Sequence, residues 1–251
     1  MNVEAIIIGC LTGFISAFFG IGGSSIDTPL LRIILNLPPY LALGTPLPLT
    51  LLTATIASLA YQREHLVNFR VAVYSLIGGV PGIVAGSYFT AYLTGKFLML
   101  LTAVVLFLVG VDLLYKNMME KMFAAEKVLS PSRHYIVLVA AVIGTLSGVL
   151  ANGGGIFFVP AYVLLFRLHI KEAIATSLLT VAVMSVPGSI IHYSLGHIDL
   201  PTTFALGIGV APMAYIGAIL DLKTKSKTLV FLFGILLIAF SIYFFINQVK
   251  A

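Results

Sequence analysis

Apolar residues run along this chain in blocks of about 20, interrupted by short polar or glycine-rich stretches, with no sustained alternation of period two. A block of that length crosses a ~30 Å hydrocarbon core at ~1.5 Å of rise per residue, so clear helical spans are predicted over 41–61, 71–92, 97–115, 173–195, 202–220 and 228–247. Two further places differ, 5–19 with 26–37 and 136–150 with 156–168. There the second member is only about a dozen residues long, so each pair reads as two short tilted spans or a re-entrant hairpin. In either form the chain returns to the side it left.

Composition excludes a soluble domain. The chain has 251 residues, 60% hydrophobic and 9% charged, with mean hydropathy +1.10, where a soluble domain carries about 25% charged residues. Without the alternation a barrel requires, helices are the remaining way to satisfy backbone groups in lipid. The expected fold class is therefore an all-α integral membrane protein of 8–10 helical segments. Its single cysteine, Cys10, excludes an internal disulfide and a cysteine-rich metal site. No metal and no cofactor are expected. The N-terminus has no basic region ahead of its apolar run and does not read as a cleaved signal.

Charge then gives an orientation. Of the 14 Lys and Arg, all but Arg32, Lys96 and Lys250 fall on one face of the predicted topology. That bias places the majority face in the cytoplasm and both termini outside, in a multi-pass protein of the cell (inner or plasma) membrane. The net charge of +5 is spread over several loops without an aromatic platform, which argues against nucleic acid and for contact with lipid headgroups.

The polar interruptions repeat. At a gapless offset of 131, Gly13, Gly22, Gly23, Gly78 and Gly86 meet Gly144, Gly153, Gly154, Gly209 and Gly217, while Pro29 and Pro81 meet Pro160 and Pro212. Composition alone gives about one Gly–Gly coincidence at a single offset. Thr45 meets Thr176, Ser58 meets Ser189, and Lys96 meets Lys227. Five segments per half, an odd number, imply copies of opposite orientation, with 1–115 as the first repeat, 116–134 as a cytoplasmic linker and 135–251 as the second, inverted repeat. Inverted repeats with matching glycine- and proline-broken segments mark secondary transporters whose substrate site lies where the breaks meet, near the membrane midplane. The stretches "FGIGGSSIDTP" and "LANGGGIFFVP" are those breaks, and helix N-termini following them are ready anion sites.

The run Gly9-x3-Gly13-x3-Ala17-x2-Gly20-x-Gly22-Gly23 followed by Pro29 resembles the glycine signature of the TauE/SafE sulfite-exporter family, the toluene sulfonate uptake permease group. A second copy, Ala140-x3-Gly144-x3-Gly148-x2-Ala151-x-Gly153-Gly154-Gly155 followed by Pro160, matches as well. The likeness extends through "ALGTPLPLT" and "AIATSLLT". It implies a membrane carrier for small or sulfur-containing anions such as sulfite, sulfonates or sulfoacetate. The first copy departs from the pattern: Ser24 replaces the third glycine, and Asp27 is an acid where the second copy has Phe158. An acid beside an anion site opposes binding unless it faces elsewhere or binding is proton-linked.

The substrate-binding candidates are Gly22, Gly23, Ser24, Ser25, Arg32, Thr45, Asn152, Gly153, Gly154, Gly155, Thr176 and Ser177. Each has a plainer reading. Arg32 snorkels from a segment end five residues away; Ser24, Ser25 and Asn152 serve turns and caps; the threonines bond back to helix carbonyls or permit close packing. Asp27 and His192 are proton-coupling candidates, against a helix cap for the first and a solvated interfacial histidine for the second. A carrier by alternating access is expected, with no catalysis. The alternatives are a passive anion channel and an intramembrane serine hydrolase pairing Ser24 or Ser25 with His192. The hydrolase leaves the repeat unexplained, since Gly155-Ile156 stands where the serines stand.

Overall fold

The structure, a computed structural model, describes residues 3–22, 24–123, 131–224 and 226–250. All regular elements among them are helical. In chain order these are α1 (Val3–Phe19), α2 (Ser24–Ile34), α3 (Pro39–Gly44), α4 (Leu47–Arg63), α5 (Phe69–Phe89), a 3-10 turn (Thr90–Tyr92), α6 (Gly95–Phe123), α7 (Arg133–Val149), α8 (Gly155–Leu164), α9 (Ile170–Ser194), α10 (Leu200–Lys223) and α11 (Ser226–Lys250). Four stretches among the described residues are long and apolar enough to cross a membrane, Pro39–Tyr61, Phe69–Tyr92, Ile170–Ser194 and Leu200–Lys223. Large aliphatic side chains face outward in rows one helical turn apart. Ile7 and Leu11 on α1 are 63% and 52% exposed, and Leu138 and Val142 on α7 are 65% and 57% exposed. Such surfaces belong against lipid tails, since water tolerates few contiguous apolar patches. The protein is an all-α integral membrane protein.

Two boundaries differ from expectation. The predicted span 41–61 is two helices, α3 and α4, because Pro46 has no N–H to continue the ladder. At the corresponding place α9 runs unbroken through Ser177. And α6 continues to Phe123, eight residues into the stretch expected as linker, of which 124–130 lie outside the described residues.

The major helix pairs are α1 with α10, α5 with α7, α4 with α9, and α6 with α11. Small residues explain the first two. A Cβ placed on Gly13 would lie 2.7 Å from Val210 Cα, and one on Gly209 would overlap the Ile6 carbonyl and sit 2.6 Å from Cys10 N. Backbones this close admit hydrogen at the seam and nothing larger. The same contacts recur at the 131-residue offset. Gly78 meets Val137 and Ala141 as Gly209 meets Ile6 and Cys10, and Gly86 meets Thr145 and Val149 as Gly217 meets Phe14 and Phe18. Contact residues rise together along α1 and α10, so those helices run parallel, and α5 with α7 likewise. By contrast α6 meets α11 antiparallel: Gly110 lies on Leu237 and Ile238, while Leu114 lies on Gly234. The four helix pairs thus join residues before 124 to residues after 130.

Candidate functional site

The two glycine breaks are in contact. After α1 the chain turns through Gly20 and Gly22, at φ +71° and +85°, and after α7 it turns through Ala151, Gly153 and Gly154, at φ +46°, +68° and +99°. Left-handed backbone of this kind suits glycine, and it reverses the chain inside the bundle without a long loop. Matching bonds close the turns, from Ile21 N to the Ser16 carbonyl (3.0 Å) and from Asn152 N to the Ser147 carbonyl (3.1 Å). A Cβ on Gly155 would overlap the Ile21 carbonyl. One on Gly22 would stand 2.9 Å from Val181 Cγ1 and 3.0 Å from Thr50 Cγ2; one on Gly153 would meet the same two groups at 3.2 and 2.7 Å. Thr50 and Val181, themselves 131 residues apart, therefore sit where both turns converge.

Around this centre the polar groups are unequal in the two halves. Ser24 is fully buried and its N–H points to Thr50 Oγ1 at 3.4 Å; its hydroxyl, and that of Ser25, have no partner. Across from them Asn152 accepts a bond from Gly154 N at 3.0 Å, which fixes the turn that opens α8. Asp27 is 1% exposed, lies against the Thr12 hydroxyl, and its Oδ1 has no partner. The dipoles of α2 and α8 give both N-termini the partial positive charge that draws anions, although the Ser24 N–H is turned to Thr50 Oγ1 and the Phe157 N–H to the Gly154 carbonyl. Gly23 lies outside the described residues.

Other candidates lie elsewhere. Arg32 reaches along the helix end, donating from Nη1 to the Leu37 carbonyl at 2.9 Å. Eight residues separate it from Ser24, about 12 Å of helix, so the structure does not bring its guanidinium to the turns. Thr45 and Thr176 are fully buried but occupied at opposite ends of the bundle. Thr45 Oγ1 accepts from Asp199 N (3.0 Å) and Thr176 Oγ1 from Asn68 N (2.9 Å). Asp199 and Asn68 cap α10 and α5 in turn, so these threonines anchor helix starts. Ser177 is buried with an unpartnered hydroxyl. Thr50, Val181, Ser185 and Ser16 are the residues that sequence reasoning missed. The offset pairs Thr50 with Val181 and Ser16 with Ser147 were there to read, but Thr–Val pairs do not stand out among apolar helices.

His192 belongs to a closed network at the α9 end. Its Nε2 lies 3.0 Å from the Gly148 carbonyl, which only accepts, so Nε2 carries the proton. In the neutral ring Nδ1 then accepts, and His197 Nδ1–H, 3.2 Å away, donates. His197 stacks on Tyr40, ring centroids 4.9 Å apart, and half-burial in this loop lowers its pKa. Neither ring is hydrogen-bonded to the serines that a hydrolase would need: His192 is engaged by Gly148 and His197, and the Ser24 and Ser25 hydroxyls have no partner. At the other end Tyr61, the offset counterpart of His192, donates its hydroxyl to the buried Asp221 carboxylate, and Lys171 Nζ donates to the Leu222 carbonyl at 2.6 Å. Two cavities open at this end. One of about 460 Å³ is lined by His65, Asn68, Lys171 and Glu172 among others, and one of about 300 Å³ by Ile56, Glu64, Tyr215 and Leu222.

The sequence pattern of the sulfite exporter TauE/SafE family matches residues 5–244. The chain belongs to this family. Similar chains include the probable membrane transporter proteins YunE of Bacillus subtilis (26% identical, covering 94% of each chain) and YjnA of the same organism (25%, covering 92% of this chain and 95% of the relative). Another is the probable membrane transporter protein MJ0441 of Methanocaldococcus jannaschii, 24% identical over 89% and 88% of the two chains. No solved structure matches. TauE/SafE is a family of membrane transporters, not enzymes, and the hydrolase alternative ends with that membership.

Proposed function

We propose that this TauE/SafE protein carries a small sulfur-containing anion, sulfite or an organic sulfonate such as sulfoacetate, across the cell membrane by alternating access. The observation that carries the reading is the meeting of the two glycine turns, each opening a short helix whose N-terminus faces the bundle interior. A tetrahedral oxyanion needs several convergent donors. Two helix N-termini, with Ser25 and Asn152 beside them, supply donors without a fixed full positive charge, which favours release on the far side. Thr45, Thr176 and Arg32 are outside this site, since each is engaged elsewhere. Asp27 opposes an anion unless its charge is neutralised, so transport is coupled to a positive charge at Asp27.

The halves are inverted repeats in this reading. Support comes from glycine contacts that recur at one offset and from α6 meeting its counterpart α11 antiparallel. The moving bodies are not the sequence halves, because α1 is locked to α10 and α5 to α7. One body holds α1, α4 and α10, the other α5, α7 and α9, and they slide along the α4–α9 contact. The 460 Å³ cavity beside Asn68 and Lys171 is the cytoplasmic approach, and both termini are outside. Uptake into proteoliposomes of sulfite, sulfoacetate, other sulfonates and carboxylates, with and without a pH gradient, tests the reading. Saturable uptake of the sulfur anions is expected; uptake of none of them sinks it.

A further inference from the structure

The seam between α1 and α2 carries a carboxylate oxygen and two hydroxyls that are buried without a hydrogen-bond partner. Thr12 and Ser16 are one turn apart on α1, and Ser24 and Asp27 are one turn apart on α2. The Thr12 hydroxyl faces Asp27, α1 packs on α2, and the Ser16 carbonyl accepts from Ile21 N in the turn that leads into Ser24. All four residues are at most 1% exposed. Ser16 Oγ, Ser24 Oγ and Asp27 Oδ1 have no hydrogen-bond partner. Many helical hydroxyls in this protein donate to the carbonyl four residues back, as Thr12, Thr28, Thr53, Thr102, Ser147 and Ser185 do. Ser75, Ser87, Ser177 and Ser189 are unpartnered singly, whereas here two hydroxyls and a carboxylate oxygen are unpartnered beside one turn. Leaving buried oxygens unpartnered is costly, and inside a membrane it marks a functional group.

The second half does not repeat the feature. Thr12, Ser24 and Asp27 correspond to Ile143, Gly155 and Phe158, and Ser147, the counterpart of Ser16, is satisfied by the Ile143 carbonyl. The polar seam is thus not a requirement of the turn. Arg32, the cation nearest to Asp27 on its own helix, is held at the opposite end of α2. Protonating Asp27 would neutralise it but leave the Ser16 and Ser24 oxygens as they are. A bound cation takes the carboxylate and the hydroxyl oxygens together, and oxygen-only donors suit a hard ion. One carboxylate at membrane depth balances one positive charge; a divalent ion would leave an excess.

We infer that Thr12, Ser16, Ser24 and Asp27 form a binding site for a small monovalent metal cation, sodium, adjoining the anion site. This rests on the carrier reading above for its role, since the ion supplies the positive charge that lets an anion approach Asp27. The existence of the site is testable without any anion. Purified protein in detergent is melted at equal concentrations of sodium, potassium or choline chloride. At tenfold saturation sodium raises Tm above choline by about 3–6 °C. Asp27→Asn abolishes that rise, and Ser16→Ala shifts the sodium midpoint upward by tenfold or more. Equal Tm in all three salts overturns the inference, as does a rise that survives in Asp27→Asn, or one reproduced in choline by acidification alone. Sulfoacetate is then added in sodium and in choline. Tighter binding in sodium supports the coupling; a sodium rise with no sulfoacetate effect in either salt leaves the cation site standing and removes the anion reading.

Discussion

Adding one methyl group at Gly155 tests the contact on which the site depends. Gly155 begins α8 in helical backbone, so Gly155→Ala introduces no left-handed strain. Its Cβ, however, would lie 2.9 Å from Ile21 Cα and overlap the Ile21 carbonyl. The obstacle is backbone, which no rotamer change relieves, so the cost falls at the upper end of the ~1–3 kcal/mol typical of overpacking. At about 2–4 °C per kcal/mol for a chain of this size, Tm falls by about 6–12 °C. Against a total stability of about 5–15 kcal/mol the variant still folds. The offset counterpart Ser24 already carries a Cβ, so Ser24→Gly costs about 1 kcal/mol or less. Both variants are purified, melted, and assayed for sulfoacetate uptake in proteoliposomes. The expected result is a destabilised Gly155→Ala protein that reaches the membrane and does not transport. A Tm within about 2 °C of wild type would show that the turns are not in contact, and normal uptake at a lowered Tm would remove the anion from between them.

Four further outcomes are expected. Arg32→Ala leaves the KM for anion uptake unchanged within about twofold, because the guanidinium is spent on the Leu37 carbonyl; a tenfold rise would bring Arg32 back to the site. Tyr61→Phe leaves the Asp221 carboxylate buried without its donor and costs about 1–3 kcal/mol, read as a fall in Tm; an unchanged Tm would mean that the pair is weak. Burial lowers the His197 pKa from 6.5, so its contribution to stability is full above that value and is lost as pH falls through the lower folded pKa. His197→Gln should flatten the decline in Tm on acidification, and an unaltered slope would contradict it. In a protein with Cys10 replaced by serine, a cysteine at Thr94 should react with an impermeant maleimide in intact cells and one at Pro131 should not; the reverse pattern inverts the orientation.

The fold was legible where backbone shape depends on residue type. Gly22, Gly153 and Gly154 do adopt positive φ, and Pro46 does break a helix. The site was legible only in outline. That the breaks at 20–29 and 151–160 would be neighbours followed from their repetition, but which side chains reach the centre depends on helix rotation, and apolar helices of low amphipathicity do not encode it. Thr45 and Thr176 repeat for a structural reason, as anchors for Asp199 and Asn68, and repetition alone cannot separate anchors from ligands. Arg32 was singled out by charge, while a carbonyl five residues away had already claimed it. The unpartnered oxygens of Ser16 and Ser24 show only once burial is known.

The pairing of α1 with α10 has a consequence for how such a chain is made. Gly9 and Gly13 wait for Leu206 and Val210, so α1 has its principal partner only after nearly 200 more residues are synthesised. Contacts that distant in sequence form slowly, and an apolar helix with an open glycine seam must be shielded by the insertion machinery or by lipid until then. The same geometry bears on fragments of the chain. Residues 1–123 alone have no α10 to cover α1, and their α5 is shaped for α7. Co-expression of residues 1–123 with 131–251 as separate chains should therefore restore a folded protein that neither fragment forms alone.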